Sequence, residues 1–121
     1  MHGLGIKVGS HTDGNLKSLL GLLGESGLDL CESISPAPLT PYTFEEVWNA
    51  WENGPIIWGG IPSPILEART PEAEFQAYVE RILETIDEPR IILGVVDMVL
   101  PINAIERVRY IAQRVEEHSF K

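Results

Sequence analysis

Apolar residues along the chain fall into two alternating patterns. Short apolar or β-branched runs occur at Gly5-Ile6-Lys7-Val8-Gly9, Leu28-Asp29-Leu30-Cys31-Glu32, Pro55-Ile56-Ile57-Trp58-Gly59 and Arg90-Ile91-Ile92-Leu93-Gly94-Val95-Val96, each bounded by Gly, Pro or Asp. Runs this short suit buried parallel strands, and they predict strands near residues 5–10, 28–34, 55–60 and 90–96. Between them, apolar residues recur at helical spacing. Leu16, Leu19, Leu20 and Leu23 follow Asp13-Gly14-Asn15 and stop near Gly24 and Gly27. Thr43-Phe44-Glu45-Glu46 has the form of a capping box ahead of Val47, Trp48 and Trp51. Thr70-Pro71 places a cap and then Pro at a first helical position, before Phe75, Val79, Ile82, Leu83 and Ile86. Asn103 and Glu106 make a further box, before Ile105, Val108, Ile111, Ala112 and Val115. Helices are therefore predicted near 14–26, 43–53, 71–87 and 103–118. Cys31 lies inside the second strand run and reads as a small core residue, not a nucleophile.

The order is β-α-β-α-β-α-β-α, with no linker or low-complexity tract to divide residues 1–121, so a single domain is expected. Four βα units equal half of a (β/α)8 barrel. The fold class expected is α/β, a (β/α)4 half of a TIM-type barrel with parallel strands. Standing alone, such a half leaves two unpaired strand edges and an uncovered apolar sheet face. Three solutions are open: a second copy, a missing partner half, or flattening into a doubly wound sheet. A homodimer is the simplest. Glu72, Glu74, Glu80 and Glu84 read as solvated helix surface. The Pro-rich stretch Ser35–Pro41 is the one long loop, on the side where α/β proteins bind ligands.

Charge narrows the partners. With 9 Lys+Arg against 18 Asp+Glu the formal net charge is −9, which argues against nucleic acid or an anionic membrane as partner. Hydrophobic residues at 44% and charged residues at 22% describe a globular chain and argue against intrinsic disorder; the partner expected besides a second half-barrel is a small-molecule substrate. The single cysteine excludes an internal disulfide and a thiolate-rich zinc site. No apolar run approaches the roughly 20 residues of a membrane helix. Met1-His2-Gly3-Leu4 lacks the features of a signal peptide, and a cytoplasmic location is expected.

In this topology the C-terminal strand ends share one rim. His11 and Asp13 follow the first strand, Glu32 the second, Gly59-Gly60 the third and Asp97 the fourth. One imidazole and three carboxylates form an N/O metal shell, or a set for proton transfer in which close acids raise one another's pKa. Each residue also has a plainer reading. Asp13 caps the first helix, Asp97 organises the turn before Pro101, Glu32 accepts from the Pro-rich loop, and His11 is a satisfied polar residue at a strand end. No phosphate-loop fingerprint and no G-x-S-x-G elbow occurs.

The stretch His11-Thr12-Asp13-Gly14-Asn15, the run Trp58-Gly59-Gly60-Ile61-Pro62, and Gly94-Val95-Val96-Asp97 through Pro101 to Arg107 resemble the C-terminal part of uroporphyrinogen decarboxylase-like proteins. That superfamily includes cobalamin-dependent methyltransferases and is similar in its site to cobalamin-independent methionine synthase. The resemblance covers nearly the whole chain and the last four βα units of the family's barrel. In the methyltransferase branches it implies zinc held by an H-x-C-G motif and a later Cys, with a Glu as further ligand in the synthase. Carried over, His11 keeps the histidine, Asp13 stands at the first Cys, Glu32 matches the glutamate, and Asp97 falls near the last Cys. Carboxylates replace both thiolates, which favours a divalent ion harder than zinc, or none. Asp97 and Glu32 are the catalytic candidates, and His11, Asp13, Glu32 and Asp97 the metal candidates. The decarboxylase branch implies no cofactor, and substrate groups drawn largely from an N-terminal half-barrel. Metal-assisted methyl transfer is thus the first expectation. Decarboxylation in tetrapyrrole metabolism and a non-catalytic module that folds by pairing are the alternatives.

Overall fold

A computed structural model describes residues 2–12, 14–96 and 104–118. Four strands, β1 (Gly9–His11), β2 (Leu30–Ile34), β3 (Ile56–Pro62) and β4 (Ile91–Val96), form one sheet in the order β1-β2-β3-β4, and every pairing is parallel. Helices α1 (Leu20–Gly24), α2 (Phe44–Ala50), α3 (Glu72–Thr85) and α4 (Ile105–Glu117) alternate with the strands, with short 3-10 turns at His2–Leu4, Lys17–Leu19 and Ser63–Leu66. The order runs in one direction without reversal. A doubly wound sheet needs a switch point, so that arrangement is not what these residues form.

The two faces of the sheet have different fates. Cys31, Ile57 and Ile61 are fully buried on one face, in a continuous core with Leu16, Leu20, Val47, Trp48, Trp51, Phe75, Val79, Ile82, Leu83 and Ile111 from the helical segments. The opposite face carries Ile56, Trp58 and Ile92, each at least 40% exposed. Parallel register aligns His11 with Glu32, Glu32 with Trp58 and Trp58 with Ile92. That row runs from polar at one edge to apolar at the other.

Side chains tie the layers together at the helix ends. The Trp51 Nε1–H donates to the Leu20 carbonyl at 2.8 Å, joining α2 to α1. The Arg90 guanidinium donates to the carbonyls of Trp51 and Trp48 at 3.0 and 3.1 Å, closing the C-terminus of α2, and stacks on the Trp48 ring at 3.7 Å. Arg107, only 7% exposed, donates to the carbonyls of Ile65, Glu67 and Thr70 and pairs with Glu72. Tyr42 is fully buried and organises the Pro-rich loop: its hydroxyl accepts from the Ser35 N–H and its carbonyl from the Ala37 N–H. Burial pushes the Tyr42 phenol above its ordinary value.

Several expectations need correction. The first strand is Gly9–His11, later than 5–10. Asp29 explains the shift, because its carboxylate accepts the Val8 N–H at 2.7 Å while its own N–H donates to the Val8 carbonyl. Regular pairing with β2 then begins only at Gly9, and Ile6 stays 46% exposed. Thr43 caps α2 as expected, accepting the Glu46 N–H at 3.1 Å. Thr70 does not cap α3: its hydroxyl donates to the Pro64 carbonyl, and Pro71 takes the cap position. Leu19, Ile105 and Val115 fit the helical spacing yet remain 42–50% exposed. Glu72 and Glu80 are more than solvated surface. Glu72 pairs with Arg107, and Glu80 accepts two hydrogen bonds from Arg114 at 2.6 and 2.8 Å, linking α3 to α4. Arg114 holds the Glu80 carboxyl below the usual carboxylate range. Asn103 lies outside the described residues. Among the described residues no helix is long and apolar enough to cross a membrane.

Candidate functional site

Strand polarity brings the C-terminal ends of β1, β2, β3 and β4 to one rim. Of the four residues expected there, His11 and Glu32 are described, and Asp13 and Asp97 lie outside the described residues. His11 ends β1 and Glu32 is its register partner on β2, so adjacent strands deliver both side chains to the same face. His11 Nδ1 lies 3.2 Å from Glu32 Oε2, with both side chains open to solvent at 62% and 45% exposure. The Glu32 carbonyl accepts the Thr12 N–H at 2.8 Å, which extends the ladder one residue past β1 and steadies the strand end.

Ser33 joins this pair and was not anticipated. Its hydroxyl oxygen lies 3.3 Å from His11 Nδ1. In a regular strand Glu32 and Ser33 would face opposite sides. Here the register slips: Glu32 pairs with Trp58, Ile34 pairs with the very next residue, Gly59, and Ser33 is the extra residue of a bulge. Ser33 sits at φ +65°, a left-handed conformation for a non-glycine residue. The slip also turns Ile34 into the core, where it is fully buried. Nothing in the residue types around Ser33 announces this.

Gly59 is the counterpart of the bulge. It has φ +141°, and a Cβ there would lie 2.6 Å from the Ile34 carbonyl oxygen and 2.8 Å from Val96 Cγ2. Only glycine lets β3 pass so close to the displaced backbone of β2. Between them a cavity of about 70 Å³ is lined by Glu32, Ser33, Trp58, Gly59, Val95 and Val96. Two larger clefts lie away from this chemistry. One, about 520 Å³, is bordered by Glu72, Arg107 and Tyr110; the other, about 630 Å³, by Lys7, Gly24, Leu30, Ile56 and Ile92. Among the described residues neither is lined by an imidazole or a thiol.

No family model, curated protein or solved structure matches the chain. The chemistry therefore has to be argued from the donors themselves. Among the described residues no group of three or more His, Cys, Asp or Glu side chains is placed to hold a metal ion. A zinc–thiolate centre does not fit. Cys31 is fully buried on the helix-covered face, and burial pushes its thiol above the ordinary value. What the rim presents is an imidazole, a carboxylate and a hydroxyl, a set suited to proton transfer or to part of an N/O coordination shell.

Proposed function

We propose that this chain is the (β/α)4 half of a uroporphyrinogen decarboxylase-like barrel whose strand-end rim acts on a small molecule, with metal-assisted methyl transfer as the first reading. The supporting observation is the meeting of His11 and Glu32, from successive parallel strands, at 3.2 Å on the C-terminal rim. Asp13 and Asp97 complete the proposed donor set. A divalent ion bound there would supply Lewis acidity toward the substrate's nucleophile. Of that set, His11 and Glu32 stand on adjacent paired strands rather than on free loops, which fixes their separation.

A second reading is decarboxylation without a cofactor. What supports it is the His11–Glu32 pair at 3.2 Å, an imidazole and a carboxylate within hydrogen-bond distance on one rim. In that reading a rim acid, Glu32 or Asp97, delivers the proton that replaces carbon dioxide. Titrating the metal-free protein with Zn²⁺ and with Mn²⁺ separates the two. Methyl transfer expects one ion per chain, bound at least ~10-fold more weakly in His11→Ala and Asp97→Asn, a loss of the size seen for ligand-shell changes. Absence of saturable binding of either ion overturns the metal reading.

The proposed partner is a second β/α half-barrel, most simply another copy of this chain. A two-fold rotation along the barrel axis would set β4 of each copy beside β1 of the other, in parallel, and would cover Ile56, Trp58 and Ile92.

A further inference from the structure

We infer that α4 of one copy packs against α1 of a second copy, so that two helix seams, related by the two-fold axis, close the pair. This rests on the proposal that the partner is another copy of this chain, and it names the surface that holds that copy. The helices adjoin one another in chain order: α1 packs on α2, α2 on α3, and Arg114 of α4 binds Glu80 of α3. The sheet runs β1-β2-β3-β4, so α1 and α4 stand at its two ends, each flanked by one helix rather than two.

Apolar exposure follows that position. Among the described residues the inner helices α2 and α3 carry no exposed large apolar side chain. The end helices do. Leu19 and Leu22, three residues apart at α1, and Ile105 and Val115 on α4 are 42–68% exposed. With Val108 and Ala112 between them, Ile105 and Val115 repeat at i, i+3, i+7 and i+10. That spacing is a stripe along one flank of α4, beside the flank where Arg107 and Ile111 are buried. Such a stripe is what one helix offers another. The open sheet face, with Ile56, Trp58 and Ile92, lies between the two ends.

The two stripes belong to one chain, at opposite ends of one sheet. A copy turned by half a revolution therefore supplies the missing neighbour at both ends at once, and closes. The surface area agrees. The chain exposes 7078 Å², whereas a self-sufficient monomer of 13.4 kDa exposes about 6,500 Å². The excess of about 600 Å² is most of the roughly 800 Å² per partner that a standard dimer interface removes.

The test follows the full chain by sedimentation equilibrium at micromolar concentration. Leu22→Glu marks the α1 flank and Val115→Lys the α4 flank. Both residues are exposed in the single chain, so far-UV circular dichroism should be unchanged. A dimer contains the seam twice, so each variant should dissociate ~100-fold more readily, about 10-fold per seam. An equimolar mixture keeps one seam free of substitution, and its mixed dimer should recover about 10-fold of that loss. Leu19→Glu with Ile105→Lys takes the place of a first variant that does not fold. A dimer of undiminished affinity in either variant overturns the seam and leaves the second copy standing. Two variants that dissociate without recovery on mixing overturn the pairing of α1 with α4. An unsubstituted chain that is monomeric overturns the inference together with the second copy, and leaves the stripes to a different protein.

Discussion

Replacing Arg107 with alanine tests how this small fold is held at its C-terminal helix. The guanidinium is 7% exposed, with Nη1 2.7 Å from the Ile65 carbonyl and 2.9 Å from that of Glu67, and Nη2 2.6 Å from that of Thr70. It also lies over the Phe75 ring at 5.0 Å and 3.2 Å from Glu72. One α4 side chain thus secures the turn between Ser63 and Thr70 and the start of α3. The Ile65 carbonyl contact is buried and would lose its donor outright, at about 1–3 kcal/mol. The other two carbonyls are part-buried, so water replaces most of what they lose. The ring contact adds about 0.5–1 kcal/mol. The Glu72 partner is 59% exposed and contributes under about 1 kcal/mol. The sum is about 1.5–5 kcal/mol, a large share of the roughly 5–15 kcal/mol that holds a typical domain. Urea denaturation should show a lower midpoint with an unchanged slope. Arg107→Lys should recover only part of the loss, since a single ammonium cannot span three carbonyls set in a fork. Glu72→Gln separates the causes and should cost under about 1 kcal/mol. A cost for Glu72→Gln as large as for Arg107→Ala, or a loss below about 0.5 kcal/mol for the latter, refutes the reasoning.

Three further outcomes are expected. Gly59→Ala should destabilise by at least about 2 kcal/mol, because its Cβ would meet the Ile34 backbone at 2.6 Å from a conformation that alanine resists; a neutral urea midpoint would contradict it. Glu80, its pKa lowered chiefly by Arg114, should contribute stability present above the ordinary carboxylate range and lost as pH falls through the depressed value. Glu80→Gln should therefore flatten the acid limb of a plot of urea midpoint against pH, and an unchanged limb would count against the pairing. Trp58→Lys, on the open face at 41% exposure, should abolish self-association seen by light scattering at micromolar concentration; a chain monomeric before substitution refutes the second copy as partner.

The alternation of elements was legible because burial and secondary structure share a period. Ile57 and Ile61 are buried on β3, and Phe75, Val79, Ile82, Leu83 and Ile86 form the buried stripe of α3. Thr43 was legible as a cap because one side chain and one nearby N–H suffice to make it. The start of β1 was not, because what decides it is Asp29, distant in the chain, meeting Val8. Glu80 shows the same limit: its spacing is that of a solvated residue, and only the neighbouring helix supplies Arg114. Of the candidate site, strand polarity was enough to place His11 and Glu32 on a common rim. Ser33 was invisible, since the alternation rule would turn it away from Glu32.

The bulge links these points. A regular β2 would send Ile34 to the open face and Ser33 into the core. One inserted residue reverses both, at the cost of a left-handed serine and of a glycine opposite it. Each of the three residues is ordinary by itself. Together, Ile34 needs burial, Gly59 gives the displaced backbone room, and Ser33 reaches His11. A local departure from period two thus converts a strand end into a cluster of imidazole, carboxylate and hydroxyl. The same departure seals the core beneath it, so the cluster is anchored by packing rather than by its own solvent-exposed hydrogen bonds. Mutations in Ile34 or Gly59 should therefore disturb His11 through the backbone, whereas changes in the Pro-rich loop beyond Ser35 act first on Tyr42 and Tyr78, whose hydroxyls bind the Ser35 N–H and the Ala37 carbonyl.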